Sequence, residues 1–333
     1  MSIGILLLGI ATITLFQPSI RYQFDRDQSM RLKGILAILI VMLHTMRGGI
    51  IDKNWGYVIV SMFIFITGYG LMASYTSKGE LYLQTYFRHR FLKLLPPLVL
   101  VTTGFMIIMS LAGHGSFMNW YNYFKQTGIP PIGATWYVYC IILFYLFFYI
   151  SMKNGKNKAT QIALLTTLCI LFVVFIKYIA GWDDFWWCST FAFLVGVMYK
   201  IAEKYLLQYL SCINSQRIYS AILLGVLFLF IYSYYTYSNI CSLYSFINIL
   251  PLVLILTIYN FGIPKSKILT FMGSISYEIF IVHNAFISFL YTFAVPPGIS
   301  RFCIVIILSI PSAYMLNKSC NYLLKKACPI MII

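Results

Sequence analysis

The sequence predicts an all-α polytopic membrane protein with about ten or eleven transmembrane helices. The 333 residues are 61% hydrophobic and only 10% charged, and their mean hydropathy is +0.84. Soluble domains carry about 25% charged and about 45–50% apolar residues, so this chain has too little charge to cover a globule of its size. The composition therefore excludes a soluble enzyme, a disordered chain and a fibrous repeat protein.

Long apolar segments recur along the whole chain. We place eleven of them at 2–17, 34–50, 55–75, 94–112, 134–152, 160–180, 185–201, 218–236, 242–262, 271–293 and 302–316. Most are long enough to cross a hydrocarbon core of about 30 Å as helices. Helices are the predicted form, because open strands would leave backbone groups unpaired in lipid.

The basic residues are distributed unevenly between alternate loops. The net charge of +16 would suggest nucleic acid in a soluble protein, but cytoplasmic loops of membrane proteins collect Lys and Arg in this way. All but five of the 24 basic residues fall on one side, the exceptions being Arg47, Lys53, Lys125, Lys177 and Arg301. The asymmetry predicts an outside N-terminus, a cytoplasmic C-terminus and no nucleic-acid partner.

The chain is predicted to be one membrane domain over residues 1–333. It divides into an extra N-terminal span and loop at 1–30, core spans at 31–316 and a cytoplasmic tail at 317–333. The N-terminal apolar stretch lacks a basic region before it and a small-residue cleavage site, so we interpret it as a retained span. Eight cysteines lie scattered with no CxxC pair, and we expect neither a metal site nor a permanently bound cofactor.

Ionisable residues inside apolar segments are candidates for function, because burying them in a membrane is costly. His44 follows Lys33 by eleven residues, which is about 16 Å along a helix at 1.5 Å per residue. The pair would present a cation at the cytoplasmic entrance and a base near mid-bilayer, as an anionic cytoplasmic substrate requires. A buried structural histidine beside an ordinary topology lysine accounts for the same spacing equally well.

A second basic cluster precedes the fourth apolar segment, in the run Arg88-His89-Arg90-Phe91-Leu92-Lys93. Arg90 and Lys93 are three residues apart and share a face if a helix begins there. Two such cations could bind phosphate groups, and the alternative is a flank that only sets topology. Pro96 and Pro97 fit the first turn of a span or a break in it.

A third group lies in the tenth segment, which holds Glu278 and His283. They are five residues apart, about 140° around a helix, so we expect them to point to different places. Glu278 could orient an imidazole on another helix, or be a structural partner of a basic residue. His283 and Asn284 lie near the outer end of the segment, where a polar pair could simply be hydrated.

Five blocks of the sequence together resemble the acyltransferase family 3 of membrane proteins, which acylate cell-surface carbohydrates. The blocks are Lys33-Gly34-Ile35 through His44, Phe63-Ile64-Phe65-Ile66-Thr67-Gly68-Tyr69, Arg90-Phe91-Leu92-Lys93 with Pro96, Thr135-Trp136-Tyr137 to Tyr145, and Gly273 to Asn284. Lysine stands where the family usually has arginine at 33 and 93, and Met30 stands where an Asp is frequent. Lysine keeps the charge but lacks the bidentate fork of arginine.

The resemblance implies a membrane O-acyltransferase, here an O-acetyltransferase of a bacterial surface polysaccharide or its lipid-linked precursor. It implies acetyl-CoA as the donor and a multi-pass position in the bacterial cell membrane, among its lipids. His44 would act as general base or carry the acyl group, and Glu278 and His283 complete the catalytic candidates. Arg90, Lys93 and Lys33 would bind the CoA phosphates, with Arg88 as a further candidate.

Two other hypotheses compete with the hypothesis that the protein is an enzyme. A transporter or flippase would move a sugar-lipid without making bonds, and it fits the number of spans equally well. The chain shows neither the internal repeats nor the paired broken helices of secondary transporters, which favours chemistry. A non-catalytic assembly subunit is the third reading, and it would not need His44.

Overall fold

The computed structural model describes residues 24–46, 55–133, 135–212, 225, 247–254 and 263–327. These residues form helices and loops, with no strand among them. The helices are α1 Arg26–Thr45, α2 Trp55–Lys78, α3 Glu80–Gln84, α4 Tyr86–Leu111, α5 Phe117–Thr127, α6 Trp136–Asn154, α7 Lys158–Val174, α8 Thr190–Cys212, α9 Lys267–Ser274, α10 Ser276–Thr292 and α11 Ile299–Ala327. A π-helical turn, Phe175–Ile179, continues α7, and a 3-10 turn, Asp184–Trp186, precedes α8. The all-α fold class is confirmed.

Six stretches of the described chain are long and apolar enough to cross a membrane, and a bent pair of helices makes a seventh. The six are Trp55–Lys78, Tyr86–Leu111, Trp136–Asn154, Lys158–Ile179, Asp184–Leu206 and Ile299–Leu324. Helix α1 covers most of the segment predicted at 34–50. Its first turns carry Arg26, Arg31 and Lys33, and it is not among the stretches long and apolar enough to cross a membrane. The segments predicted at 2–17, 218–236 and most of 242–262 lie outside the described residues, apart from Gly225 and the helical residues 247–254.

Helix α4 begins earlier than the hydropathy predicts. Its first residue is Tyr86, so the basic cluster lies inside the helix and Arg90 and Lys93 share a face as expected. Pro96 and Pro97 lie in the helix interior, not in a first turn or a break. Proline has no N–H to donate, so the carbonyl groups four residues earlier lose their helical hydrogen bonds at this level of the membrane.

Glycines allow two pairs of helices to cross at backbone contact. A Cβ on Gly34 of α1 would collide with the Leu269 carbonyl of α9, and one on Gly273 of α9 with the Met30 carbonyl of α1. Helices α2 and α8 cross in the same reciprocal way through Gly68 and Gly196. Small residues permit this close packing, which is a main source of helix association in lipid. Gly34, Gly68 and Gly273 each belong to one of the five blocks that resemble the family. In those three blocks the glycine is therefore required for helix packing.

The tyrosine after Gly68 also has a structural role. The hydroxyl of Tyr69 donates to Glu203 on α8 at 2.9 Å, and Lys200 forms an ion pair with the same carboxylate at 2.5 Å. Glu203 is only 6% exposed, so it is paired as a buried charge must be. The cluster joins α2 to α8 near the ends that carry Lys78 and Lys204.

The segment predicted as one span at 271–293 is two helices. Helices α9 and α10 meet at Ile275 with a bend of 72°. The bend lets α9 cross α1 at the glycine contact, while α10 runs beside α1. Helix α10 therefore begins inside the protein, and Ser276 and residues 278–284 are buried.

Candidate active site

Two cavities lie on opposite sides of a layer of buried side chains. The cavity that we call the basic cavity has a volume of about 470 Å³, and its walls include Arg26, Lys33, Arg90 and Lys93. The histidine cavity has a volume of about 390 Å³ and contains His44 in its wall. Helices α1 and α10 both run from the basic cavity to the histidine cavity, since each contributes its first turns to one and its last turns to the other.

His44 and His283 form a hydrogen-bonded pair. Nδ1 of His44 lies 2.9 Å from Nε2 of His283, and the two rings meet edge to edge with their centroids 5.2 Å apart and their planes 21° from parallel. His44 is in the last turn of α1 and His283 is in the middle of α10, fully buried. The hydrated alternative does not hold for His283, which is fully buried, whereas Asn284 is 7% exposed, lines the histidine cavity and donates to the Phe280 carbonyl at 3.0 Å.

The partners of His283 assign the tautomers of both rings. Nδ1 of His283 is 2.9 Å from the Ile279 carbonyl oxygen, which can only accept, so this nitrogen carries a proton. Nε2 of neutral His283 is then an acceptor, and Nδ1 of His44 must donate to it. The lone pair of His44 is therefore on Nε2. Because the hydrogen bond at Nδ1 fixes the ring, Nε2 presents its lone pair in a defined direction. Such a nitrogen is suited to general base catalysis.

Thr45, the residue after His44, makes hydrogen bonds both within α1 and to a neighbouring loop. The Thr45 hydroxyl donates to the Val41 carbonyl at 2.8 Å, and the Thr45 carbonyl accepts from the Gly298 N–H at 3.0 Å. The second bond ties the loop between α10 and α11 to the residue beside His44. Both contacts restrict the position of the imidazole.

Aromatic side chains dominate the histidine cavity. Tyr57, Trp136, Phe185 and Tyr291 line it, and Trp136 packs on Phe185 with ring centroids 5.2 Å apart. The segment before α8, residues 182–187, is rich in aromatic residues, and of these Phe185 lines the cavity whereas Trp182 does not. Flat aromatic faces of this kind offer apolar area with a fixed geometry.

The basic cavity holds Arg90 in a defined orientation. Its Nε donates to the Tyr82 hydroxyl at 3.1 Å, Nη2 donates to the same oxygen, and the guanidinium lies 5.7 Å from the ring centroids of Tyr82 and Tyr145. A guanidinium has five N–H donors, so three remain after the two that Tyr82 accepts. Lys33 and Lys93 lie in the wall of the same cavity, so the structure brings these three cations together. Arg88 is exposed and is not in its wall.

Glu278 also lines the basic cavity, and its partner is an amide. The Asn317 side chain of α11 donates to the Glu278 carboxylate at 2.7 Å, and Asn321 donates to Asn317 at 2.9 Å. The carboxylate therefore orients no imidazole, and the two histidines orient each other. The prediction that Glu278 and His283 point to different places is confirmed.

Several residues of the two sites were not predicted from the sequence. Arg26 and Asn317 line the basic cavity, and Tyr82 fixes Arg90 from the short helix α3. Asn317 gave no signal, because it follows the last predicted apolar segment, 302–316, and was assigned to the tail. Tyr82 had none, because tyrosines are frequent throughout this chain. The described residues contain no group of three or more His, Cys, Asp or Glu side chains that could hold a metal ion.

The comparison with protein families agrees with this arrangement. The family model described as an acyltransferase domain, that of acyltransferase family 3, matches residues 31–318. The match begins two residues before Lys33 and ends one residue after Asn317, so it contains the histidine pair, the histidine cavity and most of the wall of the basic cavity. Arg26 and Asn321 of that wall lie outside the matched range. No curated protein and no solved structure matches the chain. Because the family model covers most of the chain, this protein belongs to acyltransferase family 3 and is a membrane acyltransferase.

Proposed function

We propose that the protein is an O-acetyltransferase that moves the acetyl group of acetyl-CoA to a hydroxyl group of a bacterial surface polysaccharide or its lipid-linked precursor. The observation that carries the proposal is that His44, hydrogen-bonded to His283, lines one cavity and that four cations line the other. An anionic donor and an uncharged hydroxyl acceptor need such different surroundings.

The donor fits the chemistry of the basic cavity. CoA carries phosphate groups, and Lys33, Arg90 and Lys93 offer charge-assisted donors to them. The guanidinium of Arg90 is already oriented by Tyr82, so it would lose little freedom when it binds a phosphate. The start of α10, with Ser276 in the wall, adds the positive end of a helix dipole to the same side.

The acceptor fits the histidine cavity. A sugar ring has apolar faces that can pack on Trp136, Phe185 or Tyr57, while its hydroxyl groups need polar partners. Asn284 supplies such a partner in the wall, and His44 supplies the base. A cavity of about 390 Å³ has room for a terminal sugar rather than a long glycan, so the rest of a polymer would extend outward.

The reaction uses His44 as a general base. Its Nε2 takes the proton of the acceptor hydroxyl while the hydroxyl oxygen attacks the thioester carbonyl carbon. The new C–O bond forms, the C–S bond breaks, and the proton passes from His44 to the sulfur, so the products are an ester and the free thiol of CoA. While His44 is an imidazolium, its Nδ1–H bond to His283 becomes charge-assisted and stabilises the cation.

The basic cavity would face the cytoplasm, where the charge asymmetry puts this end of the helices. The histidine cavity would then face outward, with the N-terminus outside and the C-terminus in the cytoplasm. Reporter fusions at residue 333 and at the loop around Lys125 test this orientation. A cytoplasmic Lys125 loop would reverse it.

The function is tested by labelled acetyl transfer. Purified protein in proteoliposomes receives labelled acetyl-CoA and, one at a time, capsule, exopolysaccharide and O-antigen glycans, and alkali-labile label on the glycan is counted. We expect label on one glycan class with the wild type and none with His44→Ala. A flippase would move glycan without attaching label, and equal labelling by His44→Ala would remove the proposed base.

A further inference from the structure

Phe280 is the one side chain, in the part of the chain that the structure describes, that lines both cavities. It lies in the second turn of α10 and is 5% exposed. Its ring packs on Tyr137 of α6 with centroids 4.8 Å apart, and its centroid is 5.8 Å from that of His283. The side chain is thus one helical turn from the histidine pair, on the side of the basic cavity.

The boundary between the cavities crosses α6 at the same level. Trp136 lines the histidine cavity, whereas the next residue, Tyr137, lines the basic cavity. The contact between Tyr137 and Phe280 closes the gap between α6 and α10, and we call these two side chains the aromatic septum. Both are at least nine-tenths buried, so the septum is a packed layer rather than an open passage.

We propose that the aromatic septum, and Phe280 above all, selects the length of the acyl chain that the enzyme transfers. The inference rests on the proposed function. The donor phosphates would be bound near Lys33 and the reaction would occur at His44, about 16 Å away along α1. The thioester end of the donor must then pass the septum to reach His44, and each additional methylene has to fit between two aromatic rings.

The expected selectivity is steep. A well-packed apolar site discriminates a single methylene by roughly 10–200-fold, because the extra group needs space that close packing does not leave. The acyl end of the donor therefore carries the specificity, and its phosphate end carries the affinity. Acetyl is the smallest common acyl group and passes most easily.

The simpler reading is that Phe280 is a core residue with no role in selection. It belongs to the main hydrophobic cluster, as Phe172 does, and the two are almost equally buried at 5% and 7%. Phe172 lines neither cavity. Phe172→Ala therefore removes the same volume from the same core and is the matched control for Phe280→Ala.

The first experiment measures release of CoA from acetyl-, butyryl- and hexanoyl-CoA in the presence of the same glycan mixture. Wild type and Phe172→Ala should prefer acetyl-CoA to the same degree. In Phe280→Ala the ratio of the hexanoyl rate to the acetyl rate should rise at least about tenfold. An unchanged ratio in a folded Phe280→Ala protein that still transfers acetyl would overturn the proposal and leave the proposed function intact.

A second experiment judges the septum without any acyl transfer. Leu43 lines the histidine cavity and is 4% exposed, so Leu43→Cys places a thiol beyond the septum. A membrane-impermeant thiol reagent is added from the face that carries Arg90, and mass spectrometry follows labelling at position 43. We expect labelling to rise at least about tenfold when Phe280→Ala is added, and to stay at background with Phe172→Ala.

The two experiments separate the two proposals. A wild-type protein that transfers acyl groups from none of the three donors contradicts the proposed function and with it the selection of acyl length, and the labelling result then decides only whether the septum separates the cavities. Labelling that is equally fast with and without Phe280→Ala would mean that the cavities are already connected, and Phe280 would then be a core residue only.

Discussion

At the scale of single residues, the histidine pair differs from the usual arrangement of a catalytic histidine. Carboxylates commonly orient an imidazole base, but the acid nearest in sequence, Glu278, bonds to Asn317 in the other cavity. A second neutral imidazole takes that place, and it is oriented in turn by the Ile279 carbonyl. The orientation of His44 therefore depends on the backbone of α10 through His283.

The first prediction concerns this dependence. His44→Ala should lower kcat by at least about a hundredfold, since a general base contributes roughly 10²–10⁴-fold. His283→Ala should cost about tenfold, and His283→Gln should restore part of it because its carbonyl oxygen can accept the Nδ1–H of His44. Expression level and thermal stability in detergent serve as controls. Equal losses for the two alanine variants would mean that His283 is as close to the chemistry as His44.

The second prediction concerns the donor site. Arg90→Ala should raise the acetyl-CoA concentration for half-maximal rate more than it lowers the saturated rate, because ground-state and transition-state binding are lost together. Arg90→Lys should recover only part, since lysine cannot donate twice to Tyr82 and still form a fork on phosphate. The wild-type half-saturation should also rise with salt, which screens exposed phosphate contacts. Donor dependence that is unchanged in Arg90→Ala would limit the basic cluster to a role in topology.

At the scale of helices, the protein is organised by two glycine crossings and one bend. Hydropathy marks where the helices lie, but it does not reveal that Gly34 and Gly273 belong to the same contact. Nor does it distinguish a straight span at 271–293 from two helices bent by 72°, because both halves are apolar. The bend matters for function, since it aims the first residues of α10 at the basic cavity.

The third prediction concerns the crossing of α1 and α9. Gly273→Ala should destabilise the folded protein, because its Cβ would collide with backbone that has no rotamer to change, and overpacking of this kind costs about 1–3 kcal/mol. Gly104 in α4 has open space around it, so Gly104→Ala is the control and should be neutral or slightly stabilising. Thermal unfolding of both variants in the same detergent checks this. Equal stability would show that the two backbones can separate at little cost.

At the scale of the whole molecule, helix geometry and charge pattern predict the residues at the two ends of the site. The contacts between distant helices that join those ends are visible only in the structure. The rise of an α-helix is constant, so the spacing of Lys33 and His44 predicted their separation along α1, but only the structure shows that they line different cavities. Glu278 was expected deep in its segment as an acid that orients an imidazole, whereas the bend before α10 places it in the wall of the basic cavity. The bond between His44 and His283 joins residues 239 positions apart, and no local pattern encodes it. Phe280 has no polar atom and no unusual spacing, so its position between the cavities is visible only in the packed structure.

The separation of the two cavities has an electrical consequence for the proposed reaction. Acetyl-CoA becomes CoA thiol on the basic side, and a hydroxyl becomes an ester on the histidine side. The acetyl group and the hydrogen that replaces it move in opposite directions, so neither compartment changes its charge. A reaction that moved one net charge would gain or lose about 2.3 kcal/mol at 100 mV. We therefore expect the rate and final yield in proteoliposomes to be the same with and without a potassium diffusion potential. A yield that follows the sign of the potential would show that the proton does not leave with CoA. The reaction would then move net charge across the membrane.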